Sequence, residues 1–190
     1  MTTKHIFTVL FLIIGFIGGK FAYDALFGQS DTANYEETDW TKSYCLGVAY
    51  EAPFELSLMD LQIPQNVKRY VKEMENYQFE SMPITFYISR AEYQVGITPN
   101  IDGAVNGSVQ SMQVQKGITD FTHNVSTIDK NSMEGRLVKG TCKINGKDAE
   151  FIAYTYLKNM KLLQIMIMNL NLPENREVKD RIIKSMRISL

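Results

Sequence analysis

Residues 161–170 read Lys161-Leu162-Leu163-Gln164-Ile165-Met166-Ile167-Met168-Asn169-Leu170. Side chains of an extended chain alternate between two faces. Leu162, Met166 and Met168 therefore share one face, and Leu163, Ile165 and Ile167 share the other. A strand that is apolar on both sides belongs in the middle of a sheet with both faces covered. Working backward, Asn159-Met160 is expected as the turn that feeds this strand. Asn145-Gly146, inside Lys143–Lys147, is expected as a hairpin turn, because Asn-Gly accepts the positive φ angles a tight turn needs. Further back, Ile84, Phe86 and Ile88 alternate with Thr85, Tyr87 and Ser89, the pattern of a half-buried strand.

Three helices are expected to supply the covers. The first opens at Pro64, a residue without an amide proton and suited to a first turn. Its apolar face would be Ile63, Val67, Tyr70, Val71 and Met74, opposite Lys68, Lys72 and Glu73. The second runs from Asp102, as its cap, to about Lys116, with Gly117 ending it in a left-handed turn. Ile101, Val105, Val109 and Met112 form its apolar face, beside a stripe of small residues, Ala104, Gly107, Ser108 and Ser111. Such a stripe packs closely on a sheet or leaves room for a ligand. The third runs from Pro173 to Met186, with Val178, Ile182, Ile183 and Met186 inward and Arg176, Lys179 and Arg181 outward. Helices on both faces of antiparallel hairpins give an α+β fold: a three-layer α/β/α sandwich on a mainly antiparallel sheet.

The N-terminus has a different character. Ile6–Gly19 carries no charge, and the apolar stretch reaches Phe27 if Lys20 and Asp24 pair four residues apart. Ile6–Phe27 exceeds the roughly 20 residues that span a bilayer, and Lys20 can snorkel. Residues 1–27 are thus expected as a single transmembrane signal anchor; a cleaved signal peptide is the rival. The candidate cleavage sites at Ala22 and Ala25 have Lys20 and Tyr23 where a small residue is wanted, which favours the anchor. Cys45 is too far from the apolar run to be a lipoprotein cysteine. Lys4 precedes the span and Asp31, Glu36, Glu37 and Asp39 follow it, so the domain is expected outside. Residues 28–41 read as an acidic flexible tether, leaving residues 42–190 as one domain.

Of the 190 residues 45% are apolar and 22% charged, with a net charge of −1. That is a globular composition with no basic excess for nucleic acid. Cys45 and Cys142 permit one disulfide in an exported protein; two buried free thiols is the other reading. His123 is the one histidine of the domain, in an apparent strand, with no G-x-S-x-G elbow to serve. No zinc or calcium spacing and no P-loop occurs. Asp60, Glu73, Glu75, Glu92 and Asp102 could meet in space as an ion site. Ten methionines invite a copper reading, but the neighbours of Met166 and Met168 are apolar and point to core filling. No catalytic, cofactor-binding or metal residue is assigned.

The layout resembles the PsbP-like fold, shared by photosystem extrinsic proteins, DcrB-type envelope proteins and related bacterial lipoproteins. The resemblance rests on Ala52-Pro53-Phe54-Glu55-Leu56 in a first strand and on Ile63-Pro64 before a helix. It continues in Ile101-Asp102-Gly103-Ala104 opening the second helix and in Gly135 through Gly140 leading into long hairpins. The closing Ile182-Ile183-Lys184-Ser185-Met186-Arg187-Ile188 completes it. It spans Cys45 to Leu190 and implies an exported accessory or binding role without shared catalytic residues. The expected function is therefore a non-enzymatic binding or accessory domain. It would be tethered in a bacterial inner membrane, face the periplasm or exterior, and have another envelope protein as partner and no cofactor. The alternatives are an envelope hydrolase using His123 and an ion-binding accessory protein using the carboxylates.

Overall fold

The computed structural model describes residues 31–59, 65–81, 83–130 and 133–190. The expected anchor of residues 1–27 lies outside them. After a 3-10 turn at Glu37–Asp39 come two short strands, β1 (Thr41–Cys45) and β2 (Val48–Ala52). β3 (Ser57–Leu58) and a one-turn helix, α1 (Gln65–Lys68), lead to the long pair β4 (Val71–Ser81) and β5 (Ile84–Tyr93). Helix α2 (Ile101–Gln113) is followed by four strands, β6 (Ile118–Lys130), β7 (Met133–Ile144), β8 (Lys147–Lys158) and β9 (Lys161–Leu170). Helix α3 (Pro173–Ser185) and β10 (Arg187–Ile188) close the chain.

The strands form a seven-stranded sheet, ordered β3-β4-β5-β9-β8-β7-β6, and a three-stranded sheet, β1-β2-β10. Both are antiparallel. The expected three-layer α/β/α sandwich is corrected by this arrangement. With 54% of the described residues in strands and only two helices longer than one turn, the chain is mostly β. Two physical reasons account for the difference. First, the helix expected to run from Pro64 past Met74 ends at Lys68, and Val71–Ser81 pairs with β5 from Val71↔Tyr93 to Ser81↔Ile84. The spacing of Val67, Tyr70, Val71 and Met74 suits one helical face, but a long cross-strand ladder outweighs so short a periodic signal. Second, one face of the large sheet is covered by a second sheet together with α3, not by helices alone.

β9 sits in the middle of the large sheet, as its two apolar faces require. Leu163, Ile165 and Ile167 are fully buried on one side. They meet Val48, Tyr50, Phe54, Phe86, Ile88, Val178 and Ile182 in the main core. There Phe54 stacks on Phe79 at 3.8 Å, and Tyr50 stands edge-on to Phe86 at 5.1 Å. On the other side Leu162, Met166 and Met168 pack with residues of α1, α2, β5 and β8. The methionines thus fill core, as their apolar surroundings imply.

The two expected turns form, and α2 differs from expectation at both ends, stopping at Gln113. Asn145, Gly146 and Asn159 take positive φ in the two expected turns. The cap of α2 is Asn100 rather than Asp102: its side-chain oxygen accepts from the Gly103 amide at 2.9 Å. Asp102 instead makes a two-point ion pair with Arg136, at 2.7 and 3.1 Å. Ser185, in the closing motif, accepts from the Glu51 amide at 2.8 Å and donates to the Ile182 carbonyl at 2.7 Å, tying α3 to β2.

Residues 31–41, expected to belong to a flexible tether, lie against α3. The buried Asn175 accepts from the Ala33 amide at 2.8 Å and donates to the Asp31 carbonyl at 3.0 Å. Arg181 grips Glu37 at 2.5 and 2.7 Å and stacks 3.9 Å above the Trp40 ring.

A buried polar knot lies between β4 and β5. The Asn76 carbonyl oxygen accepts from the Tyr87 hydroxyl at 2.6 Å and from the Ser89 hydroxyl at 2.7 Å, all three residues being buried. Removing that acceptor strips two buried hydroxyls of a partner. Asn76→Ala is expected to lower unfolding free energy by about 2–4 kcal/mol, read from the denaturant midpoint, since each buried polar group deprived of its partner costs about 1–3 kcal/mol. A change within about 0.5 kcal/mol would mean that the knot is solvated.

Candidate ligand cleft between the sheets

The small sheet covers only part of the large one. Where the two diverge, a cleft of about 500 Å³ opens. The small sheet contributes Ser43, Cys45 and Tyr50, the following loop contributes Glu55, and the large sheet contributes Glu75 and Arg90. Glu75 and Arg90 are directly opposite in the β4–β5 ladder, so one cross-strand register puts both on the cleft floor. The Arg90 guanidinium donates to Glu75 at 2.5 Å, with each side chain about one-third exposed. Tyr44, 70% exposed, stands at the rim.

The thiol and the phenol of the lining are held protonated. Burial, helped by the charge of Glu75 and opposed by that of Arg90, pushes the Cys45 thiol up to about 11. Burial also pushes the Tyr50 phenol up to about 12, with Cys45 and Glu55 adding and a Ser43 hydrogen bond opposing. A thiol is nucleophilic as its anion, so Cys45 at neutral pH is inert. The cleft therefore offers hydrogen-bond donors and an ion pair.

Two further hollows exist among the described residues. A groove of about 670 Å³ runs between α3 and the β6–β8 side of the large sheet, past Thr122, Lys139, Thr141, Glu150 and Lys179. In it Lys179 donates to Glu150, and Asn169 donates to the same carboxylate at 3.3 Å. Burial works to raise the Glu150 carboxyl, but the hydrogen bond and charge of Lys179 outweigh it, with Asn169 and Arg176 adding, and hold it below the ordinary range. Beneath α2 lies an apolar gap of about 40 Å³, too small for anything beyond a water or two. The small-residue stripe beside it is consumed by packing. Ala104 and Gly107 are buried, and the Ser108 hydroxyl donates to the Ala104 carbonyl at 2.9 Å and accepts from Gln164 at 3.0 Å.

His123 is exposed on β6, the edge strand, with its ring 5.7 Å from that of Phe121. It lines the groove beside α3, together with Thr122, Thr141 and Glu150. The carboxylates scatter: Glu75 pairs with Arg90, Glu92 with Lys72 at 2.6 Å, and Asp102 with Arg136, while Glu73 is exposed and Asp60 lies outside the described residues. Cys45 and Cys142, which one bridge could join, are free buried thiols in separate core clusters. Sequence reading missed Arg90, Ser43 and Glu55. An alternating charge in β5 looks like any solvated strand face, and only the register with Glu75 and the position of the second sheet make it a site.

No family model matches the chain, and none of the curated proteins does. Among solved structures, the chain is similar to cyanobacterial PsbP from Synechocystis sp. PCC 6803. That match has 10% identity and a TM-score of 0.50 over 86% of this chain and 96% of that one. It is also similar to PA94, a protein of unknown function from Pseudomonas aeruginosa: 14% identity, TM-score 0.43, over 80% and 98%. A third is LpqN, involved in cell envelope biogenesis of Mycobacterium tuberculosis: 11% identity, TM-score 0.43, over 83% and 82%. The resemblance to the PsbP-like fold read from the short motifs is thereby shown for the architecture.

The raised thiols have a consequence for stability. The folded chain keeps protons on Cys45 and Cys142 up to about 11, whereas the ordinary value is 9.0. Their contribution is therefore complete below pH 9 and lost as pH rises through 11. The denaturant midpoint is expected to fall across that window, and less steeply in a Cys45→Ala, Cys142→Ala variant. Equal slopes in the two proteins would show that the thiols are not sequestered.

Proposed function

We propose that this chain is a non-catalytic binding or accessory module, tethered to a bacterial membrane by residues 1–27, whose inter-sheet cleft receives a polar group of another envelope protein. The observation that carries this reading is the cleft itself. Its thiol and phenol are held neutral by burial, and its guanidinium and carboxylate are locked to each other. Such a lining donates hydrogen bonds and exchanges one partly exposed ion pair for another without supplying a nucleophile. The exposed Tyr44 on the rim adds the kind of aromatic contact that recognition surfaces use.

The tether is supported by the uncharged run Ile6–Gly19 and by the charge step across it, with Lys4 before and four acids after. Among the described residues no helix is long and apolar enough to cross a membrane. The docking of residues 31–41 on α3 supports a domain held close to the N-terminal segment rather than on a long leash. A net charge of −1 supports a protein partner over nucleic acid.

A photo-crosslinking residue placed at Tyr44 in the full chain, in native membranes, is expected to capture one defined envelope protein. Arg90→Gln should reduce that adduct about tenfold, in line with the roughly 1.5–3 kcal/mol of a hydrogen bond to a charged group, while thermal stability stays close to the parent. An adduct of undiminished yield in Arg90→Gln, or none in any membrane preparation, would remove the cleft from the reading.

A further inference from the structure

The long strands give the domain two ends, and residues 31–33 lie at one of them. Asn175, fully buried in the first turn of α3, accepts from the Ala33 amide and donates to the carbonyls of Asp31 and Leu170. Lys147, at the start of β8, donates to the Asp31 carboxylate. Asp31 is thereby pinned beside the β7–β8 turn and the last residue of β9. The other connections at this end are tied to the same place. The Asn145 amide donates to the Gly117 carbonyl at 2.8 Å, which brings in the link between α2 and β6. The Asn171 amide donates to the Asp148 carbonyl at 2.8 Å, and the Leu170 amide to the Pro83 carbonyl at 3.0 Å, in the turn between β4 and β5. Val114, in the α2–β6 link, is 83% exposed. The opposite end has an exposed valine of its own, Val95, 98% exposed just beyond β5.

Given residues 1–27 as the membrane anchor, on which this depends, we propose that the end of the domain carrying Asp31, Val114 and the Asn145-Gly146 turn rests against the lipid headgroups, with the sheet standing up from the bilayer. The length of chain between anchor and domain selects this end. From Phe27 to Asp31 are four residue steps, which reach about 14 Å at full extension. Asp31 is pinned, so no slack is added by the residues after it. The flank above Asp31 carries Glu36, Glu37 and Asp39, which anionic headgroups repel, so the domain stands on its end rather than lying on that side. At the end itself Lys116, Lys143 and Lys147 match Asp31, Asp120 and Asp148, so headgroups meet no net charge, and Val114 offers an apolar side chain to the interface. This posture also lifts the cleft clear of the lipid. Glu75 and Arg90 lie six residues up their strands from Ser81 and Ile84, roughly 20 Å at about 3.4 Å per residue. The cleft is then presented to the aqueous side, where the soluble part of another envelope protein can reach it.

The test uses the full chain reconstituted in vesicles of phosphatidylethanolamine and phosphatidylglycerol. Cys45 and Cys142 are left in place, and the labelling of the parent chain is subtracted. A thiol-reactive fluorophore is attached at Val114→Cys, Lys116→Cys or Val95→Cys, all exposed positions outside the cleft. Lipid bearing a nitroxide on its headgroup serves as quencher. The fluorophore is expected to lose most of its emission at Val114→Cys and Lys116→Cys and to keep it at Val95→Cys, at the far end of the sheet. Alkaline extraction of the same vesicles separates the anchor from the posture. A chain washed off the vesicles removes both together. A chain that stays embedded, but is quenched equally at Val95→Cys and Val114→Cys or at neither, keeps the anchor and overturns the posture.

Discussion

A strand whose two faces are both apolar cannot rest at an edge or on a surface, and β9 imposes that condition on everything around it. Its hydrogen-bonding sides are taken by β5 and β8. Its faces need two separate covers, and the chain supplies unlike ones. Leu163, Ile165 and Ile167 are closed off by the small sheet and α3, and Leu162, Met166 and Met168 by α1 and α2. Burying a side chain of this size is worth about 1.5–3 kcal/mol, so leaving either face of β9 open would cost a large part of a domain's net stability.

The covers are smaller than the sheet they protect, and the exposed remainder is where binding features collect. On one side the small sheet stops short, and the separation leaves a cleft floored by Glu75 and Arg90. At the far end the sheet runs on through β7 to β6, whose residues are largely exposed on both faces. Gly140 marks the transition. A Cβ there would lie 2.2 Å from the Thr122 carbonyl oxygen and 2.4 Å from the Phe151 ring, so glycine lets that ring lie across β7 beside β6. Apolar cover thus tapers from the centre outward, and polar and edge chemistry takes over where it ends.

The cleft shows how burial decides the chemistry available to a side chain. Cys45 and Tyr50 have reactive anionic forms in principle, but desolvation keeps both protonated well above neutral pH. Beside them Arg90 and Glu75 form an ion pair at the solvent boundary. The likeness to cyanobacterial PsbP is a likeness of architecture at 10% identity, so the chemistry of this cleft belongs to this chain's own residues.

How much was legible beforehand depends on the range of the interaction concerned. The central place of β9, the Asn145-Gly146 and Asn159-Met160 turns, and helices α2 and α3 followed from residues within a few positions of one another, since alternation, turn preference and helical periodicity are local properties. The strand at Val71–Ser81 was misread because Val67, Tyr70, Val71 and Met74 fit a helical face, and its true partner, β5, is separated by a turn that the local pattern does not announce. The cap expected at Asp102 is Asn100 because the helix begins at Ile101, which leaves Asp102 inside its first turn and free to pair with Arg136, 34 residues on. The cleft was invisible for the same reason. Ser43, Tyr50, Glu75 and Arg90 lie on four strands of two sheets, and their proximity is a product of register and sheet-on-sheet packing. Short-range patterns set which segments are strands with buried faces; only the folded chain decided which side chains were left uncovered together.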